Sequence, residues 1–188
     1  VSDHSAYCAS NQITDKNFYS RTKDKEVNSE KFVVELNQFL AKHGFQASAR
    51  KFLINEKRDL ISSPLVMYGN HTHDHYMLSS LETEQQNLQI DSCHQFLKES
   101  LPFKSVSTVF SIPFGGVQSI TNNAMKWLRS NGYEAALMSR SRINLSYKMF
   151  NKTLHNFPIL ERFMPVDDFN LFKKQFLKTK IRSLISWQ

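Results

Sequence analysis

Cysteine is nearly absent. The 188 residues hold two, Cys8 and Cys93, too few for a disulfide framework and wrongly arranged for a zinc knuckle. They leave the redox compartment open, and nothing decides between a bacterial cytoplasm and the cell envelope. Long apolar runs are missing too, and the longest fall well short of the roughly 20 residues a membrane span needs. No charged-then-apolar leader opens the chain. Val1-Ser2-Asp3 carries no initiator methionine, so the sequence reads as the inside of a larger precursor. Internal repeats, low-complexity tracts and nucleic-acid-binding motifs are also lacking. The net charge of +7 therefore has no nucleic-acid motif beside it. Its local excess at Lys173, Lys174, Lys178, Lys180 and Arg182 reads as a solvated helix face.

What is present is ordinary for a globular chain, with 40% hydrophobic and 22% charged residues. One domain over 1–188 is expected. Val1 to Ser5 reads as the end of a strand, and 9–28 as a long polar loop or insertion. Ser29 is expected to cap a helix with Phe32, Leu36, Phe39 and Leu40 on one face and Gly44 as its stop. Residues 47–54 read as a strand, followed by a short helix before Pro64. Leu65 to Tyr68, bounded by Pro64 and Gly69, reads as a buried strand. A second helix is expected over 82–99 with Leu88, Cys93, Phe96 and Leu97 inward. Val106 to Phe110 alternates as a strand and runs into a Pro113–Gly116 turn. A third helix over 121–131 has Met125 and Leu128 inward, Tyr133 to Met138 is a strand, and 139–157 is irregular. A last helix over 168–188 carries Phe169, Phe172, Phe176 and Leu177 on one face. Repeated strand–helix alternation predicts a parallel sheet or barrel whose loops carry the site.

The chemistry concentrates in Gly69-Asn70-His71-Thr72-His73-Asp74-His75, at the end of a predicted strand. Imidazole is the commonest nitrogen ligand for zinc and suits other transition metals. Three histidines within five residues at a strand end therefore predict a metal site. The His-x-His-x-Asp-His pattern of metallo-β-lactamase-like hydrolases does not fit, because the aspartate comes one position early.

Gly69-Asn70-His71-Thr72-His73-Asp74-His75 resembles the second motif of the polysaccharide deacetylases, carbohydrate esterase family 4, whose pattern is Gly-Asn-His-Ser/Thr-x-x-His. Leu36 to Ala47 looks like the family's helix and following strand. Phe110-Ser111-Ile112-Pro113-Phe114-Gly115 looks like its third motif, Arg-x-Pro-Tyr/Phe-Gly. The resemblance implies a distorted (β/α) barrel of about seven parallel strands with outer helices. It implies His71 and His75 as metal ligands and Thr72 as their support, with His73 and Asp74 on variable positions.

By the same resemblance, Val1 to Ser5 stands in place of the first motif, with Asp3 as general base and His4 as third ligand. Three histidines with an open water position form a known catalytic zinc geometry. Pro113, Phe114, Gly115 and Tyr76 are implied as substrate-groove residues. Arg162 either contacts substrate or pairs structurally. His155, after Leu154, is either the general acid or a surface histidine. The implied cofactor is a divalent metal, Zn2+ first, with Co2+, Ni2+ and Mn2+ as alternatives. The implied substrate is an acetylated polysaccharide or oligosaccharide, with the oligomeric state open. Ser111 stands where the motif arginine belongs. A deacetylase-like domain that binds glycan without turnover is therefore the second reading.

Overall fold

A parallel sheet needs helical crossovers between its strands, and the chain supplies them in sequence. The computed structural model describes residues 3–11, 14–44, 60–140, 142–144, 153–163 and 166–185. The strands are β1 (Val109–Ser111), β2 (Ala135–Met138), β3 (Thr153–Leu154) and β4 (Phe157–Glu161). They form one sheet in the order β1-β2-β4-β3. β1, β2 and β4 run parallel, with Phe110 beside Ala136 and Ala136 beside Ile159. β3 closes an antiparallel hairpin on β4. The helices are α1 (Asp3–Ser10), α2 (Asp15–Arg21), α3 (Ser29–Lys42), α4 (Thr83–Ser100), α5 (Asn122–Ser130) and α6 (Phe169–Ile185). Among the described residues the sheet is open, and no helix is long and apolar enough to cross a membrane.

The core lies between the sheet and helices α4 and α5. Phe110, Ala136 and Phe157 meet Ile90, Ala124, Met125 and Leu128 there. α5 shows why the local sequence suffices: Thr121 Oγ1 accepts from Ala124 N at 3.2 Å, and Met125 and Leu128 fall inward as the spacing predicts. α3 runs to Lys42 and ends at Gly44, whose φ is +72°.

Several expectations are corrected. Residues 3–10 are helical rather than strand-like. Tertiary packing holds this short helix: Tyr7 and Cys8 are buried, and the Tyr7 ring meets Phe18, Phe32 and Phe39 edge-on. The polar stretch 9–28 holds α2, capped by Thr14, whose Oγ1 accepts from Asn17 N. Asn28, not Ser29, caps α3 by accepting from Lys31 N at 3.1 Å. Ser29 is buried and bonds Ser80 Oγ at 2.8 Å, tying α3 to the segment after the histidines.

The expected buried strand at 65–68 shrinks to one parallel bridge, Tyr68 with Val106. Leu65 is 92% exposed, and among the described residues only Tyr68 and Asn70 of this segment bond to the sheet edge. On α4, Leu88 and Phe96 face outward while Gln86 and Gln89 are buried. Those glutamines are satisfied by loops: Gln86 Nε2 donates to Leu81 O at 2.8 Å and Gln89 Nε2 to Asp74 Oδ2 at 2.7 Å. Residues 153–161, inside and just past the stretch read as irregular, form β3 and β4. On α6, Phe172 and Phe176 meet Phe163, but Phe169 and Leu177 remain exposed. The strand expected at 47–54 lies outside the described residues, as does most of the short helix expected before Pro64.

Candidate active site

Parallel strands present their following loops at one edge of the sheet, and the histidine loop joins that edge. Ser111 N donates to Asn70 O at 2.9 Å, so His71 emerges beside the end of β1. Asn70, fully buried, is the loop's internal frame. Its Nδ2 donates to Ile90 O at 2.9 Å and to Tyr133 Oη at 2.8 Å, and its Oδ1 accepts from Thr72 N at 2.9 Å. No buried polar atom of Asn70 is left unpaired, which makes it an anchor rather than a burden.

The backbone bends sharply within the loop. Thr72 has φ +67° and His75 φ +59°, and Phe114 in the facing turn has φ +60°. Residues other than glycine adopt this left-handed region at a cost of roughly 1–2 kcal/mol each. Hydrogen bonds hold them there. Thr72 Oγ1 accepts from His75 N at 3.1 Å. On the α4 side, His73 N donates to Gln89 O at 3.0 Å and Asp74 N to Gln89 Oε1 at 2.9 Å.

The bend brings the His71 and His75 rings together, edge to face with centroids 4.6 Å apart. His71 Nδ1 lies 2.7 Å from Ser111 O and donates its proton there, leaving Nε2 as a lone-pair donor. His75 is held below the ordinary histidine range, first by burial and then by its neighbour His71. Phe114 flanks His75 at 4.9 Å. A hollow of about 180 Å3 opens beside His75, walled by Tyr76, Phe114, Phe32 and Val33.

Two imidazoles, one with a ring nitrogen already oriented from behind, fit a divalent transition metal. Among the described residues no group of three or more His, Cys, Asp or Glu side chains could hold an ion. The donor pair is thus available, and a third donor has to come from elsewhere. His73 faces outward and its Nδ1 pairs with Asp74 Oδ1 at 3.0 Å, while Asp74 also lines the hollow and accepts from Gln89 through Oδ2.

The remaining sequence-derived candidates fall in three places. Pro113 is buried, and Gly115 packs against Ser139 where the third-motif turn meets the end of β2. Arg162 follows β4 at the same edge, its N donating to Met138 O at 2.7 Å, and its side chain is exposed. His155 is not brought to this edge. It occupies the β3–β4 hairpin turn with Asn156, both at positive φ, at the opposite end of β4. A two-residue turn between paired Leu154 and Phe157 demands that geometry. Asp3 and His4 open α1.

Sequence reasoning gave no role to Asn70, Gln89, Tyr133 or the Ser111 carbonyl. Asn70 was visible within the motif; the others act through contacts between distant segments. Tyr133 carries a prediction of its own. Burial pushes its phenol up to about 12 from 10. A raised folded-state pKa gives stability that is complete below pH 10 and lost as pH rises toward 12. The stability difference between wild type and Tyr133→Phe should shrink by about 1.4 kcal/mol between pH 9 and pH 11. Urea midpoints at the two pH values measure it, and an unchanged difference would place the phenol in water.

Comparison with known proteins adds the family. Residues 22–136 match the family described as polysaccharide deacetylase. No curated protein and no solved structure matches the chain. The matched span runs from the end of α2 into β2, so it contains the bent histidine loop, the strand whose carbonyl orients His71 and the Pro-Phe-Gly turn that flanks His75. It covers well over half of the sequence, and the chain belongs to the polysaccharide deacetylase family.

Proposed function

We propose that the protein is a metal-dependent hydrolase that removes acetyl groups from an N- or O-acetylated glycan. Family membership supports deacetylase-type hydrolysis as its class of activity. One observation supports the metal: an imidazole pair at 4.6 Å in which a main-chain carbonyl fixes the tautomer of His71. In this reading His71 and His75 hold the ion, His4 is the third ligand and Asp3 the general base. Tyr7, one turn along the same helix, meets Phe32, which walls the hollow beside His75. Zn2+ suits a site of histidine nitrogens, with Co2+, Ni2+ and Mn2+ as alternatives. We read the whole fold as the family's distorted barrel of about seven strands, of which β1, β2 and β4 are part.

A bound divalent cation would polarise the acetyl carbonyl and acidify a water. The chain's own residues do the rest. Asp3 takes the proton from the water as it attacks. Phe114 and Tyr76 wall a hollow with room for an acetyl group and part of its sugar ring. Thr72 and Gln89 hold the loop so that His75 stays in place without substrate present. Arg162, exposed at the same edge, is available to a sugar hydroxyl or carboxylate.

Ser111 in the arginine position supports a second reading, in which the domain binds glycan and does not turn it over. Acetate release separates the two. Acetylated chito-oligosaccharide and O-acetylated xylo-oligosaccharide are offered to chelated protein, to Zn2+-reloaded protein and to reloaded Asp3→Asn. The hydrolase reading expects no release after chelation, recovery on reloading and a loss of at least ~100-fold in Asp3→Asn. Reloaded wild type no faster than Asp3→Asn on either substrate establishes the binding reading.

A further inference from the structure

The histidine loop leaves the sheet at the C-terminal end of β1. A second cavity, of about 310 Å3, lies at the other end of that strand, under Val106, Ser107 and Thr108. Its walls are largely apolar, with Leu101, Val106 and the Tyr133 ring contributing. Two cationic or N–H-bearing side chains from one face of α4 enter it, His94 and Lys98, spaced four residues apart. A mostly apolar hollow with a few converging polar groups is the usual form of a small-molecule site.

The polar groups are not arranged at random. Asn70 Nδ2 donates to Tyr133 Oη at 2.8 Å, so the phenol proton is free to point at His94 Nδ1, 2.9 Å away. His94 Nδ1 is then the acceptor, and the ring's proton sits on Nε2. The Trp127 ring stands edge-on to His94 at 5.8 Å and limits its rotation. Lys98 has no ion-pair partner among the described residues. No carboxylate lines the cavity among the described residues; Asp91, one turn before His94 on α4, accepts from Gln95 Nε2 at 3.1 Å, and Glu134, beyond the lining, accepts from the Thr108 hydroxyl at 2.9 Å. The lining therefore combines an imidazole and an ammonium-bearing side chain with hydrocarbon.

We propose that this cavity binds a small organic acid with an apolar body, the carboxylate held by Lys98 and the His94 N–H and the body lying against Leu101, Val106 and Tyr133. A cavity of this volume takes a phenyl or branched aliphatic acid; acetate would leave most of it empty. The site is separate from the His71–His75 centre and does not depend on the hydrolase reading.

Phenylacetate is the probe, titrated calorimetrically into the full chain, with phenylacetamide as its uncharged isostere. The site expects one saturable phenylacetate per chain and at least ~10-fold weaker binding of the amide. Lys98→Met, at an exposed position, should melt with the wild type and bind phenylacetate at least ~10-fold more weakly. His71→Ala should bind it as the wild type does, which separates this cavity from the metal site. The proposal is overturned by any one of three results: no saturable phenylacetate binding up to 10 mM (about ten times the Kd of a ligand of this size), equal binding of acid and amide, or unchanged binding by folded Lys98→Met.

Discussion

Protein carrying His75→Ala is expected to take up no Zn2+ at stoichiometric metal and to release acetate at least ~100-fold more slowly than wild type. Loss of a group that merely orients a ligand already costs 10–100-fold in affinity or activity, and His75 is one of only two donors in the imidazole pair. The ring is only partly covered, by His71 and Phe114, and is otherwise open to solvent, so its removal opens no buried cavity. The His75 amide, which donates to Thr72 Oγ1, survives the substitution and the loop keeps its bend. Melting temperature should accordingly move by no more than the equivalent of about 1 kcal/mol. His73→Ala is the matched control. His73 lies two residues away, its ring is exposed and its partner Asp74 keeps its bond from Gln89 without it, so metal uptake and acetate release should be unchanged. Full activity in His75→Ala, or equal loss in His73→Ala, would remove the assignment of the pair.

The second large effect is structural and reaches the site from behind. Gly115→Ala should destabilise the fold by roughly 3–5 kcal/mol, combining the left-handed penalty with overpacking. Gly115 has φ +63°, and a Cβ there would lie 2.5 Å from Ser139 N and 2.9 Å from Ser139 Cα. Backbone, unlike the end of a side chain, cannot swing aside. The contact is close because the turn is stitched to the end of β2, Ser139 N donating to Gly115 O at 3.0 Å. Relief would require the turn to lift away, carrying Phe114 off His75. Chemical denaturation and acetate release measure the two consequences separately. Gly44→Ala is the comparison: its φ is +72° but nothing lies within 4 Å of where the added methyl would sit, so only the backbone penalty of about 1 kcal/mol applies. Equal losses at the two glycines would mean the Ser139 contact contributes nothing.

How much of the molecule was legible depended on how local each signal was. α5 was readable because its cap, its inward Met125 and Leu128 and its stop all lie within a dozen residues. α4 was readable in extent and only partly in facing: Leu97 is buried and Cys93 partly buried as expected, but Leu88 and Phe96 are not. Hydrophobicity pointed Leu88 and Phe96 inward, whereas the buried positions include Gln86, which bonds Leu81 just before the helix and Thr121 well beyond it, and Gln89, which bonds Asp74 in the histidine loop. The hairpin of β3 and β4 was hidden because its turn, His155-Asn156, has no glycine to announce it. The apolar run at 65–68 misled for the opposite reason: composition suited a buried strand, but among the described residues only Tyr68 makes a bridge, to Val106.

The sequence by itself determined the family, the helix-and-strand alternation and the clustering of histidines, because each is written in contiguous residues or fixed spacings. Tertiary structure decided the working shape of the site. The bend that brings His71 to His75 rests on Asn70 reaching Ile90 and Tyr133 and on Gln89 reaching back to the loop. The tautomer of His71 rests on a carbonyl forty residues away. Such bonds join segments whose proximity exists only after the sheet and α4 have packed, so no periodicity along the chain can carry them.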